Sequence, residues 1–176
     1  IQQASNHLKA FPGRLAAVVA SEVSSASYYL DDDLETAVAN AIFSDGAGAV
    51  ILGTDGLGID GTGPEVLDHR TLFRPEYRDL MGFTFPNGRQ RILLSKDIRR
   101  IAVEMIGELA GEILGAHGLK QADVRHWVLH SAGRHVLEEA KRNMGLSDSD
   151  LEPAWAVLRR YGNMSSATVL FVLKEV

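Results

Sequence analysis

Two short stretches hold the residue types that could do chemistry. The first, Tyr161-Gly162-Asn163-Met164-Ser165-Ser166-Ala167, sets a small polar knot directly before the apolar run Thr168-Val169-Leu170-Phe171. Asn163 offers a neutral carboxamide with two N–H donors and one carbonyl acceptor. Gly162 lets the backbone pass where a Cβ would clash, and Ser165 is placed to cap the helix that the following residues favour. Burying an amide is costly unless it finds a partner, so the knot suggests a site that needs a fixed neutral donor. The second stretch, Trp127-Val128-Leu129-His130-Ser131-Ala132-Gly133, reads as a buried strand ending at His130, then a small-residue turn and a new helix. Imidazole is the side chain that most easily holds or gives a proton near neutral pH. A histidine at a strand's C-terminal end and an asparagine at a helix start can meet at one pocket. Two such donors aimed at one oxygen would stabilise a developing oxyanion.

These residues must be positioned by the elements around them. A short amphipathic helix, with Ala4, Leu8 and Phe11 at helical spacing, ends near Phe11-Pro12-Gly13. Arg14 to Ala20 is a continuous apolar run of strand length, which suits a strand buried on both faces. The Ser-rich segment Glu22 to Tyr29 lies just past that strand's end, where sites gather in layered α/β folds. Asp31-Asp32-Asp33 suits a helix N-terminus, with Leu34 to Phe43 as the helix. Ser44 to Gly53 is a tight turn feeding another buried strand, and Thr54 to Gly63, with four glycines in ten residues, is a loop. Val66 to Phe73 reads as a strand and Phe83 to Leu94 as a hairpin around Pro86-Asn87-Gly88. Ser95 to His117 is the longest helix, with Ser95 as its cap and an apolar stripe through Ile98, Ile101, Met105, Leu109 and Ile113. Gly133 to Asn143, Asp150 to Tyr161 and Ser165 to Lys174 complete the helices, the last apolar almost all round.

Composition narrows the function classes. The chain has 176 residues, 45% of them hydrophobic and 23% charged, which is ordinary for one globular domain or a large part of one. A net charge of −5 without a basic stripe argues against a nucleic-acid partner. No apolar run is long enough to span a bilayer, so no membrane role is expected and the cytoplasm is the expected location. The chain contains no cysteine, which removes a disulfide framework, a thiolate metal site and a cysteine nucleophile. It opens on Ile1 inside a helix pattern, which reads as a fragment or processed product.

The individual signals have plainer readings too. Gly46-Ala47-Gly48 has the order turn, glycines, strand, whereas a dinucleotide fingerprint runs strand, glycines, helix; close sheet packing is the better reading. His69, His117, His126 and His135 show no ligand spacing, so no metal is expected. Phe43 and Phe85 alone are most simply core residues, and His130 alone would more often be a satisfied core histidine.

Taken together in order, the motifs resemble the C-terminal half of the type III polyketide synthases, the chalcone and stilbene synthase family of the thiolase fold. Gly162-Asn163-Met164-Ser165-Ser166-Ala167 resembles the family's Asn-bearing motif. The stretch Trp127 to Gly133 resembles its His-bearing strand, although Ser131-Ala132 and Arg134-His135 stand where the family usually has Pro, Gly, Pro and Ala. Ala41-Ile42-Phe43-Ser44-Asp45-Gly46-Ala47 and Gly82-Phe83-Thr84-Phe85 resemble the two segments that carry gatekeeper phenylalanines. Ser21-Glu22-Val23-Ser24-Ser25-Ala26-Ser27 resembles the cavity-lining Ser-Glu segment. The resemblance covers nearly the whole chain, and its Ser24, Ser27 and Tyr28-Tyr29 look bacterial rather than plant-like.

The resemblance implies thiolase-like αβαβα layers with a mixed five-stranded sheet covered by helices, residues 1–176 forming the C-terminal region and the first residues the tail of the N-terminal half's nucleophile helix. It implies an acyltransferase of secondary metabolite biosynthesis that condenses malonyl-coenzyme A onto a Cys-bound acyl starter, with His130 and Asn163 catalytic. Ser24, Ser27, Phe43, Phe85 and Ser165 would line the cavity, and Gly133 and His135 would lie beside the coenzyme A arm. Acyl-coenzyme A and malonyl-coenzyme A would be substrates, with no cofactor, and the N-terminal half of the same protein would be the partner within a homodimer. The Cys that carries the acyl group would lie upstream of Ile1. A ketoacyl synthase III-like enzyme that condenses once on an acyl carrier protein, and an inactive fragment, are the competing readings.

Overall fold

A computed structural model describes residues 1–54 and 63–176, so the expected glycine-rich loop lies, apart from its two ends, outside the described residues. The chain begins with α1 (Gln2–Ala10), then β1 (Leu15–Glu22) and α2 (Leu34–Ile42), which Asp33 caps by accepting from the Glu35 N–H. β2 (Gly46–Gly53) follows and pairs antiparallel with β1, Ala20 opposite Gly48 and Glu22 opposite Gly46. β3 (Met81–Thr84) and β4 (Arg91–Leu94) form the expected hairpin around Pro86-Asn87-Gly88. The helices α3 (Ile98–Ala116), α4 (Arg134–Met144), α5 (Asp148–Tyr161) and α6 (Thr168–Glu175) complete the chain. Local chemistry sets several ends. Ser147 and Asp150 form a reciprocal capping box at the start of α5, and Gly145, left-handed at φ +64°, closes α4.

The core lies where α4, α5 and α6 meet. Leu137, Leu151, Ala154, Val157, Met164, Ala167 and Val172 are all buried there, and Trp127, Val128 and Leu129 pack against them. The glycines of β2 act as the sequence suggests, by close packing. A Cβ on Gly46 would overlap the Met164 side chain, 2.7 Å from its Cγ, and one on Gly48 would stand 3.3 Å from Leu170. The inner face of the β1–β2 pair is thus shaped to receive the knot and α6.

Several expectations are corrected. β1 is not buried on both faces: alternate residues are exposed, with Leu15 at 57% and Val19 at 69%, and Ile51 of β2 at 59%. Both faces are apolar in sequence, but this chain supplies cover for one. The expected five-stranded sheet is not formed among the described residues, whose ladders are two antiparallel pairs, β1–β2 and β3–β4. Among the described residues Val66 to Phe73 has no strand partner. Trp127 to His130 also forms no ladder, because no described strand lies beside it; its side chains hold it to the helices instead. Ser95 sits two residues before the N-cap position of α3, which Asp97 occupies, and its hydroxyl accepts from the Asp97 N–H at 3.3 Å. Ser165 does not cap α6. It takes φ +52° within a short turn of 3-10 helix, Ser165–Ala167, that precedes the helix.

Two substitutions test this packing. Gly46→Ala must displace the buried Met164 and is expected to lower stability by about 1–3 kcal/mol as an overpacked site. Leu151→Ala empties a fully buried position and is expected to cost about 2–5 kcal/mol. Urea unfolding of each variant measures both losses; an unchanged midpoint for Gly46→Ala would refute the close approach.

Candidate active site

The knot is anchored before its side chains are considered. α5 ends at Tyr161, and Gly162 turns the chain at φ +74°. A Cβ there would stand 3.0 Å from the Ser44 hydroxyl and 3.1 Å from the Ile42 carbonyl. Only glycine permits both that conformation and that approach. The Asn163 N–H then donates to the Ile42 carbonyl at 3.0 Å, and the Ser44 N–H donates back to the Asn163 carbonyl at 2.9 Å. The two segments form an isolated parallel bridge at Phe43 and Asn163. The Ser44 hydroxyl adds a third tie by donating to the Tyr161 carbonyl.

The Asn163 carboxamide is buried, 3% exposed. Its Oδ1 accepts from the Ser165 N–H at 2.9 Å, and its Nδ2 donates to the Ala132 carbonyl at 3.1 Å. The acceptor side is therefore committed and the amide plane fixed, while one N–H of the pair remains to donate elsewhere. Ser165 is thus a neighbour that orients the amide.

Ala132 joins this amide to the histidine. Its own N–H donates to the His130 carbonyl at 2.9 Å, closing the turn that follows the extended segment. One peptide residue is bonded to His130 through its N–H and to Asn163 through its carbonyl. Asn163 lies 33 positions from His130 in the chain, and its amide reaches the residue that is bonded to the His130 main-chain carbonyl. Burial holds the His130 imidazole below its ordinary pKa of 6.5, so the neutral form is favoured. Gly133 is buried, and a Cβ there would stand 3.7 Å from the Ile42 side chain. His135 is exposed on the first turn of α4, where its Nδ1 meets Glu138 at 3.3 Å. It borders a charged cleft of about 360 Å³ with Lys96, Arg99, Arg100 and Arg142.

A cavity of about 280 Å³ lies on the other side of Phe43, lined by Ser24, Ser27, Phe43, Ser44, Asn40 and Ile92 among others. Ser27 is buried and accepts from the Gln90 amide at 2.9 Å. Asp45 pins the serine turn, taking the Ser25 N–H at 2.7 Å and its hydroxyl at 2.6 Å. Those two donors hold the Asp45 carboxyl below the usual range. Three of the five expected lining residues are therefore present in this wall. Phe85 is not: it is 64% exposed at the hairpin turn, and Ile92 of β4 reaches the cavity in its place. Ser165 stays with Asn163, outside the lining. Nothing local in the sequence singles out Ser44 or the pairing of Glu22 with the Ser166 hydroxyl and N–H. Gly162 signals a close approach but does not name the approaching group.

The half-buried imidazole gives a stability test with a definite sign. Its folded pKa is depressed, so the unfolded state binds the proton more readily and stability falls as pH drops below about 6.5. Relative to His130→Gln, the protein is expected to lose melting temperature progressively from pH 7 to pH 5, with the two curves parallel above pH 7. Parallel curves throughout would show that the ring is not held neutral.

Comparison with known proteins fits this geometry. Residues 80–176 match the family described as chalcone and stilbene synthases, C-terminal domain. The chain is 35% identical over 167 residues to a 3,5-dihydroxyphenylacetyl-CoA synthase of Streptomyces toyocaensis, covering 92% of this chain and 43% of that protein. It is 31% identical over 172 residues to a 1,3,6,8-tetrahydroxynaphthalene synthase of Streptomyces peucetius subsp. caesius, covering 97% and 46%. Among solved structures it superposes on PKS-I of the brown alga Ectocarpus siliculosus with a TM-score of 0.87 and 30% identity, covering 98% of this chain and 46% of that one. The thiolase-type layering expected from the sequence is thus shared, and the chain spans about half the length of the curated relatives it matches. On the match of more than half its residues, this chain belongs to the chalcone and stilbene synthase family.

Proposed function

We propose that this chain supplies the His–Asn half of a type III polyketide synthase, which builds a polyketide by decarboxylative condensation of malonyl-coenzyme A. The observation that carries the reading is the shared Ala132 anchor, bonded to His130 and to the Asn163 amide. The free Asn163 N–H and a neutral imidazole N–H are two uncharged donors for one thioester oxygen. Loss of carbon dioxide leaves its electron pair on the malonyl α-carbon, delocalised onto that oxygen as an enolate. The donors stabilise the charge where it develops. The α-carbon then attacks the acyl thioester carbonyl; the new C–C bond forms, the C–S bond breaks and the thiolate leaves. Carbon dioxide release supplies the driving force, so no metal or redox cofactor is required.

The acyl-bearing cysteine is absent from these 176 residues and is assigned to the N-terminal half of the same protein. The uncovered apolar face of Leu15, Val19 and Ile51 supports such a partner, since a contiguous exposed apolar patch marks an interface. A cytoplasmic homodimer built through that half belongs to the same proposal; among the described residues no helix is long and apolar enough to cross a membrane. Ser24, Ser27 and Phe43 would border the growing chain. Gly133 and His135 would flank the coenzyme A arm.

Asn163→Ala in the full-length protein tests this reading. Malonyl-coenzyme A decarboxylation is expected to fall about 10²–10³-fold, as for loss of one oxyanion donor, while starter loading stays within a few-fold. Equal loss of both would refute the assigned role. The masses of products from malonyl-coenzyme A read the second part: several extensions support a polyketide synthase, whereas a single extension would point to a ketoacyl synthase III-like reaction.

A further inference from the structure

We propose that Ser44 is a positioning residue for Asn163, tying the wall of the serine-lined cavity to the amide at the neighbouring corner; the inference rests on the proposed reaction. Ser44 touches both sites. Its N–H donates to the Asn163 carbonyl at 2.9 Å, and its hydroxyl donates to the Tyr161 carbonyl, on the far side of Gly162. It also lines the cavity beside Phe43. The hydroxyl lies 3.0 Å from where a Gly162 Cβ would be, so the two segments are in contact as well as hydrogen-bonded.

The consequence is geometric. Asn163 owes its direction to two sets of bonds, one to its side chain and one to its backbone. The side-chain set, Ala132 and Ser165, fixes the amide relative to the histidine turn. The backbone set, Ile42 and Ser44, fixes the whole residue relative to the cavity wall. The Ser44 hydroxyl, bonded to the Tyr161 carbonyl, reinforces this backbone set with a side-chain tie, one that substitution can remove without altering the chain path. Its lone pairs remain free to accept from a hydroxyl or enol in the cavity, giving cavity contents a route to the amide. A displacement of about 1 Å in a catalytic donor costs on the order of 10²-fold, so a partial loosening is expected to cost less.

The test uses the full-length protein. Ser44→Ala is expected to lower kcat for malonyl-coenzyme A decarboxylation about ten-fold, with KM within two-fold and starter loading unchanged. In an Asn163→Ala background the same substitution is expected to change nothing further, because its effect passes through the amide. Ser44→Thr and Ser44→Val give a second pair of nearly equal shape that differs in the hydroxyl; Thr should retain the rate that Val loses. An equal drop in decarboxylation and loading, or a full ten-fold drop persisting without Asn163, would overturn the proposal. So would Thr and Val behaving alike. If Asn163→Ala itself keeps full decarboxylation, the reaction assignment fails, and the role of Ser44 with it; if Asn163→Ala is inactive and Ser44→Ala is not, only the role of Ser44 fails.

Discussion

The site depends on how one buried carboxamide is satisfied. An amide at 3% exposure with no partner would cost a few kcal/mol. Asn163 avoids that cost by giving its carbonyl to the Ser165 N–H and one N–H to Ala132. Those two bonds also decide its orientation, because an amide with a committed acceptor cannot flip without losing both. Satisfaction and aim are thus the same set of contacts. The strained φ of Ser165 is held by one of them, which places the local strain next to the donor that must not move.

The rest of the fold serves that geometry from two directions. Met164 and Ala167, on either side of the turn, are buried in the helical core, so α5 and α6 hold the knot from behind. From the front, β2 presents glycines where Met164 and Leu170 need room, and the Phe43–Asn163 bridge ties the cavity wall to the knot. Arg91 braces the same wall from β4, reaching Asp31 and Asp33 ahead of α2 and Thr36 on it. At about a quarter exposed, this network is worth more as a positional device than as stability, since partly hydrated ion pairs contribute little.

Much of this was legible in the sequence, and the reasons for what was not are physical. Helices declared themselves through caps and periodicity: Asp33 begins α2, and the Asp150 helix is real. The hairpin followed from Pro86-Asn87-Gly88. Gly46-Ala47-Gly48 reads as packing because its order excludes a phosphate loop, and Met164 over Gly46 gives the reason. Strand burial at Arg14 to Ala20 departs from the sequence pattern because an apolar run reports what a segment can bury, not what this chain supplies to bury it. Trp127 to His130 failed as a strand for the same reason, since a ladder needs a neighbour. The exposure of Phe85 is not legible in its four-residue segment, which carries no information about the direction its turn faces. Ser44 had no local mark at all: its role exists only across 117 positions of chain.

The histidine shows why half of such a site can be well formed and yet incomplete. Burial acts on the His130 ring and favours the neutral imidazole. A thiolate brought alongside would act in the opposite sense, because a nearby anion favours the imidazolium, and the imidazolium in turn lowers the thiol pKa. The pair would then titrate jointly, with values belonging to neither residue alone. The amide has no such dependence. Asn163 is neutral at every working pH and its aim is set wholly within this chain. The division of labour on the proposed reading follows from that difference: the carboxamide is preorganised by the fold that carries it, while the ionisation state of the imidazole is decided by what is placed beside it.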